Sequence, residues 1–547
     1  MGALRVEGAQ GPAADRSLRG QPLPTTPVRR RLASILSVAL LASGAATMST
    51  LASPAVAAEP AAAAKAATWL AGELTDAGTV VGSFPGDDGQ DVVFTDYGRS
   101  LDSVIALLTA GGQDARIGRT LTTVRTPGAV AAYTQGAPFD KAGSAYAGAT
   151  AKLAYVLTAA GADATAVGGV DLLAQLQGVI GTDGRLKDRS DFGDFANTFG
   201  QSFAILALRL NGRSTNAVVQ GLLGVQCADG SIPQSFVPKA GTPCTGSVDA
   251  TGLALQALAA VGQTSATGTQ NAKTWLLGQQ KADGSFPGEV PVNSTGYAAS
   301  GLAAVGVPSD AASAYLAGQQ NADGGLRRGA GSVTTSDLFA TAQALPALLN
   351  AAFPTTPRTV AAQAIPCATA TVTLPLDTIT ATAKGVVSLA ATSGTEVDVY
   401  AYSQPSKDYA VVRTVTVNKN GTVGLTIAPS TNTRLYAQQK GCTAGDSKVL
   451  NVRTALTLAV KRNGIRDYTF SGVALPARAG GLIVSVYRVA GDGTQVLTAQ
   501  GRADATTGAW SVRKAFTGSG RFDFVVRTGQ DLQNAPGSST TRSLLVF

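Results

Sequence analysis

Histidine is absent from the 547-residue chain. This excludes a Ser-His-Asp triad and removes the commonest nitrogen ligand for metals. Cysteine is scarce: the chain has four and no Cys-x-x-Cys pair, so the usual structural zinc sites are disfavoured. We therefore expect no bound metal and no cofactor.

Net charge and long apolar runs are also limited. The formal charge is +8, and six arginines against two acidic residues place four of those units before Leu32. The remaining charge, about +4, is too small to indicate a nucleic-acid partner. Beyond the leader, no segment approaches the length of a transmembrane helix. We expect no membrane anchor in the mature chain.

The first 58 residues are typical of a secretory leader. VRRR precedes the apolar stretch LASILSVALLA, and Ala55-Val56-Ala57 forms a small-residue cleavage site. We predict a secreted or surface-associated protein, although a membrane anchor remains the alternative. The paired arginines leave open which export route is used.

Four cysteines form an even number, as is common in exported proteins with disulfides. Their spacing suggests pairs within single domains, Cys227 with Cys244 and Cys367 with Cys442. Metal binding by these thiols is the minor alternative.

An Asp-Gly turn recurs four times. The copies are GTDGRL, CADGSI, KADGSF and NADGGL, with aspartates at Asp183, Asp229, Asp283 and Asp323 and intervals of 46, 54 and 40 residues. Repeats of this period indicate a helical array. Each turn lies between two Ala/Leu-rich segments with helical spacing of apolar residues. The second segments, near Leu101, Ala149, Phe203, Leu255, Ala299 and Ala340, predict six units between Pro60 and Phe353.

The pattern of helix, Gln-x-x-Asp-Gly-Ser-Phe turn and inner Ala/Leu helix resembles the terpenoid cyclase and protein prenyltransferase superfamily. The resemblance covers residues 60–353 and is strongest at Trp275–Phe286 and Tyr315–Leu326. It implies an all-α α/α toroid of about six helical hairpins. The same toroid occurs in cobalamin carriers and thioester-containing complement domains, so the fold alone does not indicate a function.

The sequence lacks residues that several activities of that superfamily require. The zinc set of protein prenyltransferases needs a histidine, and no Gly-Cys-x-Glu-Gln thioester motif occurs. Carbocation cyclases need an aromatic cavity, whereas the two tryptophans of this region lie on predicted outer helices.

The composition changes after residue 353 to alternating Val, Thr and Tyr, as in EVDVYAY and VVRTVTV. Such alternation with Asn-Gly and Gly-Asp-Gly turns predicts two all-β immunoglobulin-like sandwiches. The predicted organisation is a leader (residues 1–58), the toroid (59–353), a Pro/Thr-rich linker (354–366), and sandwiches at 367–453 and 454–547.

SVDATGLALQAL carries the strongest candidate for chemistry. Squalene-type cyclases have Asp-x-Asp-Asp-Thr-Ala at a comparable inner helix, and the central Asp protonates the substrate. By that resemblance Asp249 is the general acid and Thr251 is retained, but Ser247 and Ala250 replace the flanking acids. We interpret Asp249 instead as a helix N-cap.

Two acidic clusters form the remaining candidates, Asp87, Asp88 and Asp91 with Asp96, and Asp188 with Asp191 and Asp194. Both lie on predicted loops, where solvation or capping also explains them. The ligand-binding candidates are Asp249, Thr251, Asp191, Asp194 and Asp96.

These observations favour an exported, non-catalytic protein that binds a small molecule or an envelope or glycan ligand. One alternative is an isoprenoid cyclase or transferase-like enzyme that uses Asp249. Another is a cell-envelope scaffold or adhesion protein in which the sandwiches are spacers. The ligand is not identified by the sequence, and cobalamin is one candidate.

Overall fold

A computed structural model describes residues 58–236, 243–329 and 334–547. The predicted signal peptide and its cleavage site at residues 55–57 lie outside the described residues. The helices are α1 (Pro60–Glu73), α2 (Tyr97–Ala110), α3 (Asp114–Val124), α4 (Pro127–Gln135), α5 (Ala147–Ala159), α6 (Leu172–Gln177), α7 (Thr198–Leu210), α8 (Asn216–Leu223), α9 (Val248–Ala260), α10 (Thr267–Leu277), α11 (Pro291–Ala304), α12 (Asp310–Ala317) and α13 (Leu338–Leu348).

The strands lie mainly in the C-terminal half. They are β1 (Val80–Pro85), β2 (Asp91–Asp96), β3 (Thr371–Thr373), β4 (Thr378–Thr380), β5 (Gly385–Ala390), β6 (Glu396–Ser403), β7 (Ala410–Thr416), β8 (Thr422–Ile427), β9 (Thr433–Gln439), β10 (Lys448–Arg453), β11 (Ala455–Leu456), β12 (Ala459–Gly464), β13 (Asp467–Leu475), β14 (Ile483–Val489), β15 (Gln495–Arg502), β16 (Ala509–Ala515), β17 (Gly520–Thr528) and β18 (Arg542–Val546).

The predicted fold class is wrong. The sequence predicted an all-α α/α toroid before the sandwiches, whereas the chain is a mixed architecture, helical in its N-terminal half and β-rich afterwards. The helical half itself contains the antiparallel hairpin of β1 and β2. Both strands are rich in β-branched and aromatic residues, which favour a pleated strand, and Gly89 in a left-handed conformation forms part of the turn between them.

Six helices of the N-terminal half pack side by side in a closed series, α2, α5, α7, α9, α11 and α13, with α13 returning to α2. We call this set the helix circle. It contains the six Ala/Leu-rich segments that the sequence predicts as second helices. Contacts between neighbouring helices join residues that lie about equally far from the N-termini of the two helices. Gly148 on α5 lies beside Gly200 on α7, and Gly296 on α11 lies beside Gln343 on α13. The members therefore run parallel to one another.

Small residues allow these helices to approach closely. A Cβ atom added to Gly252 on α9 would lie 2.4 Å from the carbonyl oxygen of Tyr297 on α11. Such a distance leaves no room for a side chain, so glycine is required by contact rather than by conformation. The members of the circle are largely buried along their length, which explains why they are Ala-rich and apolar on all sides.

The repeated Asp-Gly turn joins four of the six units to a neighbouring unit. Gly284 has a φ of 86°, and a Cβ atom there would lie 2.2 Å from the carbonyl oxygen of Ala311 on α12. Gly184, Gly230 and Gly324 meet the backbones of α8, α10 and α1 in the same way. The turn therefore ends one unit and supports the outer helix of another.

A glutamine three residues before the turn aspartate strengthens this connection. Gln280 donates hydrogen bonds to the carbonyl of Gly284 in its own turn (3.1 Å) and to the Ser309 hydroxyl that caps α12 (2.7 Å). Gln226 bonds in the same manner to Gly230 and Gly268. One side chain thus holds two units together through two directional bonds.

The last turn closes the series onto the first helix. Gln320 donates to the carbonyls of Gly324 and of Ala62 on α1, each at 2.8 Å. Gly324 packs against the backbone of Lys65 on the same helix. The final repeat therefore contacts a partner that lies more than 250 residues earlier in the chain.

Threonines of the helix circle fix the apolar residue that follows three of the four turns. The Thr251 hydroxyl accepts a hydrogen bond from the backbone N–H of Ile232 at 2.9 Å, and Thr295 accepts one from Phe286 at the same distance. Thr341 accepts from Leu326 in the same way. Ile232, Phe286 and Leu326 are fully buried. The turn and the inner helix are thereby held in register.

Residues 354–366, predicted as a linker, run in extended form along the helical half. Arg358 and Val360 donate backbone hydrogen bonds to the end of α5, and Gln363 donates one to Gly118 on α3. The Arg358 guanidinium also pairs with Asp114 at 2.6 Å. This segment is attached to the helical half over most of its length.

The β1–β2 hairpin contacts the first sandwich. Val93 packs against the sandwich core, and Asp88 lies 3.8 Å from Arg413 of β7. Beside it, Lys419 pairs with Glu73 of α1 at 2.7 Å. The predicted domain boundaries stay a prediction, but these contacts attach the helical half to the β region.

Two sandwich-like units form the C-terminal region. In the first, sheet β3-β5-β8 faces sheet β4-β10-β9-β6-β7; in the second, β11, β12, β13 and β16 face β15-β14-β17-β18. Each encloses a separate apolar core. Both predicted disulfides, Cys227–Cys244 and Cys367–Cys442, are confirmed. Among the described residues, no helix has both the length and the apolar character needed to span a bilayer.

We predict that Gly284→Ala lowers the free energy of unfolding by about 3 kcal/mol or more, because the new Cβ atom meets both a left-handed backbone and the carbonyl of Ala311. Gly306 is the matched control, since its φ is 79° but an added Cβ atom would have nothing within 4 Å. Gly306→Ala should cost only about 1–2 kcal/mol. Denaturant unfolding followed by far-UV circular dichroism measures both, and equal losses would contradict this role for the turn.

Candidate functional site

An ion pair lies inside the helix circle. Lys152 Nζ on α5 lies 2.8 Å from Asp102 Oδ1 on α2, and the side chains are only 16% and 9% exposed. The same Nζ lies 5.4 Å from the centre of the Phe203 ring on α7, within cation–π range. Three neighbouring helices thus bring a charged pair and an aromatic face together.

Tyrosine hydroxyls face the same charges. Burial raises the pKa of Tyr297 on α11 well above its usual value, and the carboxylates of Asp102 and Asp249 raise it further. Burial likewise raises the pKa of Tyr133 on α4, with added contributions from Asp102 and Asp96. Both phenols therefore remain protonated and available as hydrogen-bond donors at neutral pH.

Gln343 completes this group from α13. Its Nε2 donates to the Tyr297 hydroxyl at 3.3 Å, and the residue is only 6% exposed. Its Oε1 is buried and has no hydrogen-bond partner among the described residues. A buried amide oxygen normally has a partner, so this atom is an unsatisfied acceptor within the helix circle. We call Asp102, Lys152, Tyr297 and Gln343 the polar interior.

Phe353 fills one side of the circle. Its ring stacks on Phe203 with centroids 6.5 Å apart and contacts Tyr297 at 6.3 Å. Its backbone N–H donates to Gln256 on α9 at 2.8 Å, and Tyr155 donates to the carbonyl of Pro354 at 3.0 Å. The chain that leaves α13 therefore closes the end of the circle where its helices finish, and the polar interior lies on the other side of Phe353.

Asp249 lies in the first turn of α9 but is not its cap. Ser247 is the N-cap, and its hydroxyl accepts from the backbone N–H of Ala250 at 3.2 Å. The interpretation of Asp249 as the cap is therefore wrong. Burial raises the pKa of Asp249, against an opposing hydrogen bond from Ser294. Its carboxyl group is close enough to the polar interior to influence Tyr297.

The other ligand-binding candidates make local contacts. Thr251 holds Ile232, as described above, and Asp96 caps α2 by accepting from Arg99 N–H at 2.9 Å. Asp191 pairs with Lys141. Asp194 accepts backbone bonds within its own loop. Of the five candidates, Asp249 raises the pKa of Tyr297 and Asp96 raises the pKa of Tyr133.

The second acidic cluster organises a loop. Asp188 accepts from the backbone N–H of Ala147, at the start of α5, at 2.7 Å and from Phe195 at 3.1 Å. Burial raises the pKa of Asp188, and these bonds oppose the change. In the first cluster, Asp88 accepts from Gln90 N–H at 3.0 Å besides pairing with Arg413. Across the described ranges, no three acidic or cysteine side chains are grouped as a metal site.

Sequence reasoning missed the polar interior itself. Asp102, Lys152 and Gln343 each lie six residues after the residue that caps or precedes their helix. A long polar side chain at the same position in three parallel helices is the signal that was available. Aligning the six segments at their starts, rather than at the turns, brings these positions together.

Comparison with known proteins adds no assignment. No family model matches the chain, and no curated protein matches it significantly.

We predict that Asp102→Asn lowers the free energy of unfolding by about 3–5 kcal/mol, because it leaves the Lys152 ammonium buried without its counter-charge. The exposed pair of Lys141 and Asp191 is the matched control, and Asp191→Asn should cost at most about 1 kcal/mol. Chemical denaturation at pH 7 compares the two. The double variant Asp102→Leu with Lys152→Met should recover most of the loss. Similar losses for both single variants would contradict a buried charge pair.

We predict that Asp249→Asn stabilises the protein at pH 7 and has no such effect at pH 3. The raised pKa means that the folded state holds the proton more tightly than the unfolded state, so ionisation at neutral pH reduces stability. Below the unfolded pKa, about 3.9, the carboxyl is neutral in both states. The melting temperature at each pH measures this. Asp337→Asn, at the cap of α13, is the control and should give no gain, since Asn caps as well as Asp. A lower melting temperature for Asp249→Asn at pH 7 would contradict the desolvated environment.

Proposed function

We propose that the protein is exported and non-catalytic, and that it binds a small polar molecule at the polar interior. The buried, unpartnered Oε1 of Gln343 carries this proposal. Export is supported by the leader sequence and by the two disulfides, which persist in oxidising compartments. Binding sites of this kind are concave, mostly apolar and supplied with a few placed polar groups, and the interior has that composition.

The chemistry of the interior narrows the ligand. Gln343 Oε1 requires an N–H or O–H donor, while the protonated phenols of Tyr133 and Tyr297 offer donors in return. The charges of Asp102 and Lys152 already satisfy each other, so an uncharged molecule with both donors and acceptors fits better than an ion.

Native mass spectrometry of the protein purified from its own host tests this proposal. We expect a co-purifying small molecule with the parent protein and its loss with Gln343→Leu. Gln263→Leu is the matched control, because Gln263 is exposed beyond the end of α9, and it should retain the molecule. Loss of the molecule from both variants, or a parent protein that carries none, would overturn the proposal.

An isoprenoid cyclase or transferase-like enzyme is a second candidate, and the raised pKa of Asp249 is the observation that favours it. A general acid must hold a proton near the working pH, and burial moves this carboxyl in that direction. Incubation of the parent with squalene or a shorter isoprenoid tests this candidate. Turnover that falls about a hundredfold or more in a folded Asp249→Asn variant would replace the binding proposal by a catalytic one.

A further inference from the structure

The first sandwich places its aromatic side chains outside its core. Residues 367–453 contain four tyrosines and no phenylalanine or tryptophan. The buried core of this unit consists of Ala, Val, Leu and Ile alone. In the second sandwich, by contrast, Phe470, Trp510 and Phe524 are buried in the core. The four tyrosines therefore do not serve the packing role that aromatic residues usually have.

These tyrosines gather at one place on the β4-β10-β9-β6-β7 sheet. Tyr400 and Tyr402 on β6 alternate with buried Val399 and Ala401, so they share the outer face of the sheet. Tyr436 on β9 is the register partner of Tyr400. The fourth, Tyr409, immediately precedes β7. We call Tyr400, Tyr402, Tyr409 and Tyr436 the tyrosine platform.

The rings contact one another closely. Tyr400 and Tyr436 are stacked with centroids 4.8 Å apart, and Tyr409 meets Tyr436 edge-on at 4.8 Å and Tyr402 at 4.7 Å. Each ring thus fixes the orientation of another, which limits the entropy lost on binding. Tyr409 is 38% exposed and the other three are partly exposed. None of the four hydroxyls has a hydrogen-bond partner in the described residues.

The surrounding charges indicate the class of ligand. On the same face, Arg434 is opposite Tyr402, Asp398 precedes Tyr400 by two residues, and Gln438 is opposite Asp398. The two signs and a neutral amide are mixed, so the face has no charge complementarity to a polyanion such as nucleic acid. Aromatic faces combined with hydroxyls, an amide and single charges are complementary to a neutral ligand that carries many hydroxyl groups.

We propose that the tyrosine platform binds a neutral glycan chain. The apolar C–H face of a pyranose ring packs on the exposed tyrosine faces, and its hydroxyl groups bond to the free phenols, Arg434 and Gln438. The first sandwich is then a glycan-binding module rather than a spacer. This site is independent of the polar interior, because no residue of the helix circle contributes to it.

Affinity electrophoresis and pull-down of the full disulfide-bonded chain test the proposal, with soluble β-glucan, chitin and cellulose as probes. We expect binding to at least one of them. Tyr409→Ala and Tyr436→Ala should each weaken it about tenfold or more, as stacked aromatic side chains usually do. Tyr409→Phe keeps the ring and should retain most of the affinity.

Tyr487→Ala is the matched control, since Tyr487 is a partly exposed tyrosine on β14 of the second sandwich, and it should bind like the parent. Melting curves establish that each variant is folded. If Tyr436→Ala does not fold, the binding of Tyr409→Ala alone tests the proposal. Binding to none of the three probes, or binding that Tyr409→Ala leaves unchanged, would overturn the proposal. Tighter binding of single-stranded DNA than of any glycan would also overturn it.

Discussion

The helical half depends on one recurring interaction, the docking of an Asp-Gly turn on the outer helix of a neighbouring unit. The left-handed glycine brings backbone against backbone, and the preceding glutamine bonds to both sides of the contact. Threonines of the inner helices then fix the apolar residue after the turn. Because Gln320 makes this contact with α1, the series closes. The repeat therefore serves assembly.

Closure determines what the interior can contain. Parallel, Ala-rich helices approach closely, so only a few positions carry long side chains toward the middle. Those positions hold Asp102, Lys152, Tyr297 and Gln343, while Phe353 occupies the side where the helices end. A scaffold made of turn contacts thus leaves a small polar interior, and the tyrosine platform lies on a different module. The two proposed sites separate small-molecule binding from glycan binding.

The sequence predicted the helices, the β-rich C-terminal region and both disulfides, because helical spacing, strand alternation and cysteine spacing are local signals. It did not predict the β1–β2 hairpin, whose strands are short and interrupt a helical pattern. It assigned Asp249 as a cap, although Ser247 two residues earlier was also a capping residue type. The polar interior was not predicted because Asp102 and Gln343 are about 240 residues apart in sequence. Only the closed series of helices brings α2 and α13 together.

Amide hydrogen exchange of the Gln320→Leu variant tests the closure most directly. The account predicts that α1 (Pro60–Glu73) exchanges faster in this variant than in the parent, because its carbonyl at Ala62 loses the bond that joins the last unit to the first. Exchange in the second sandwich should not change, and Gln263→Leu should leave α1 as in the parent. Unchanged protection of α1 in Gln320→Leu would contradict the claim that the last turn closes the series of units onto α1.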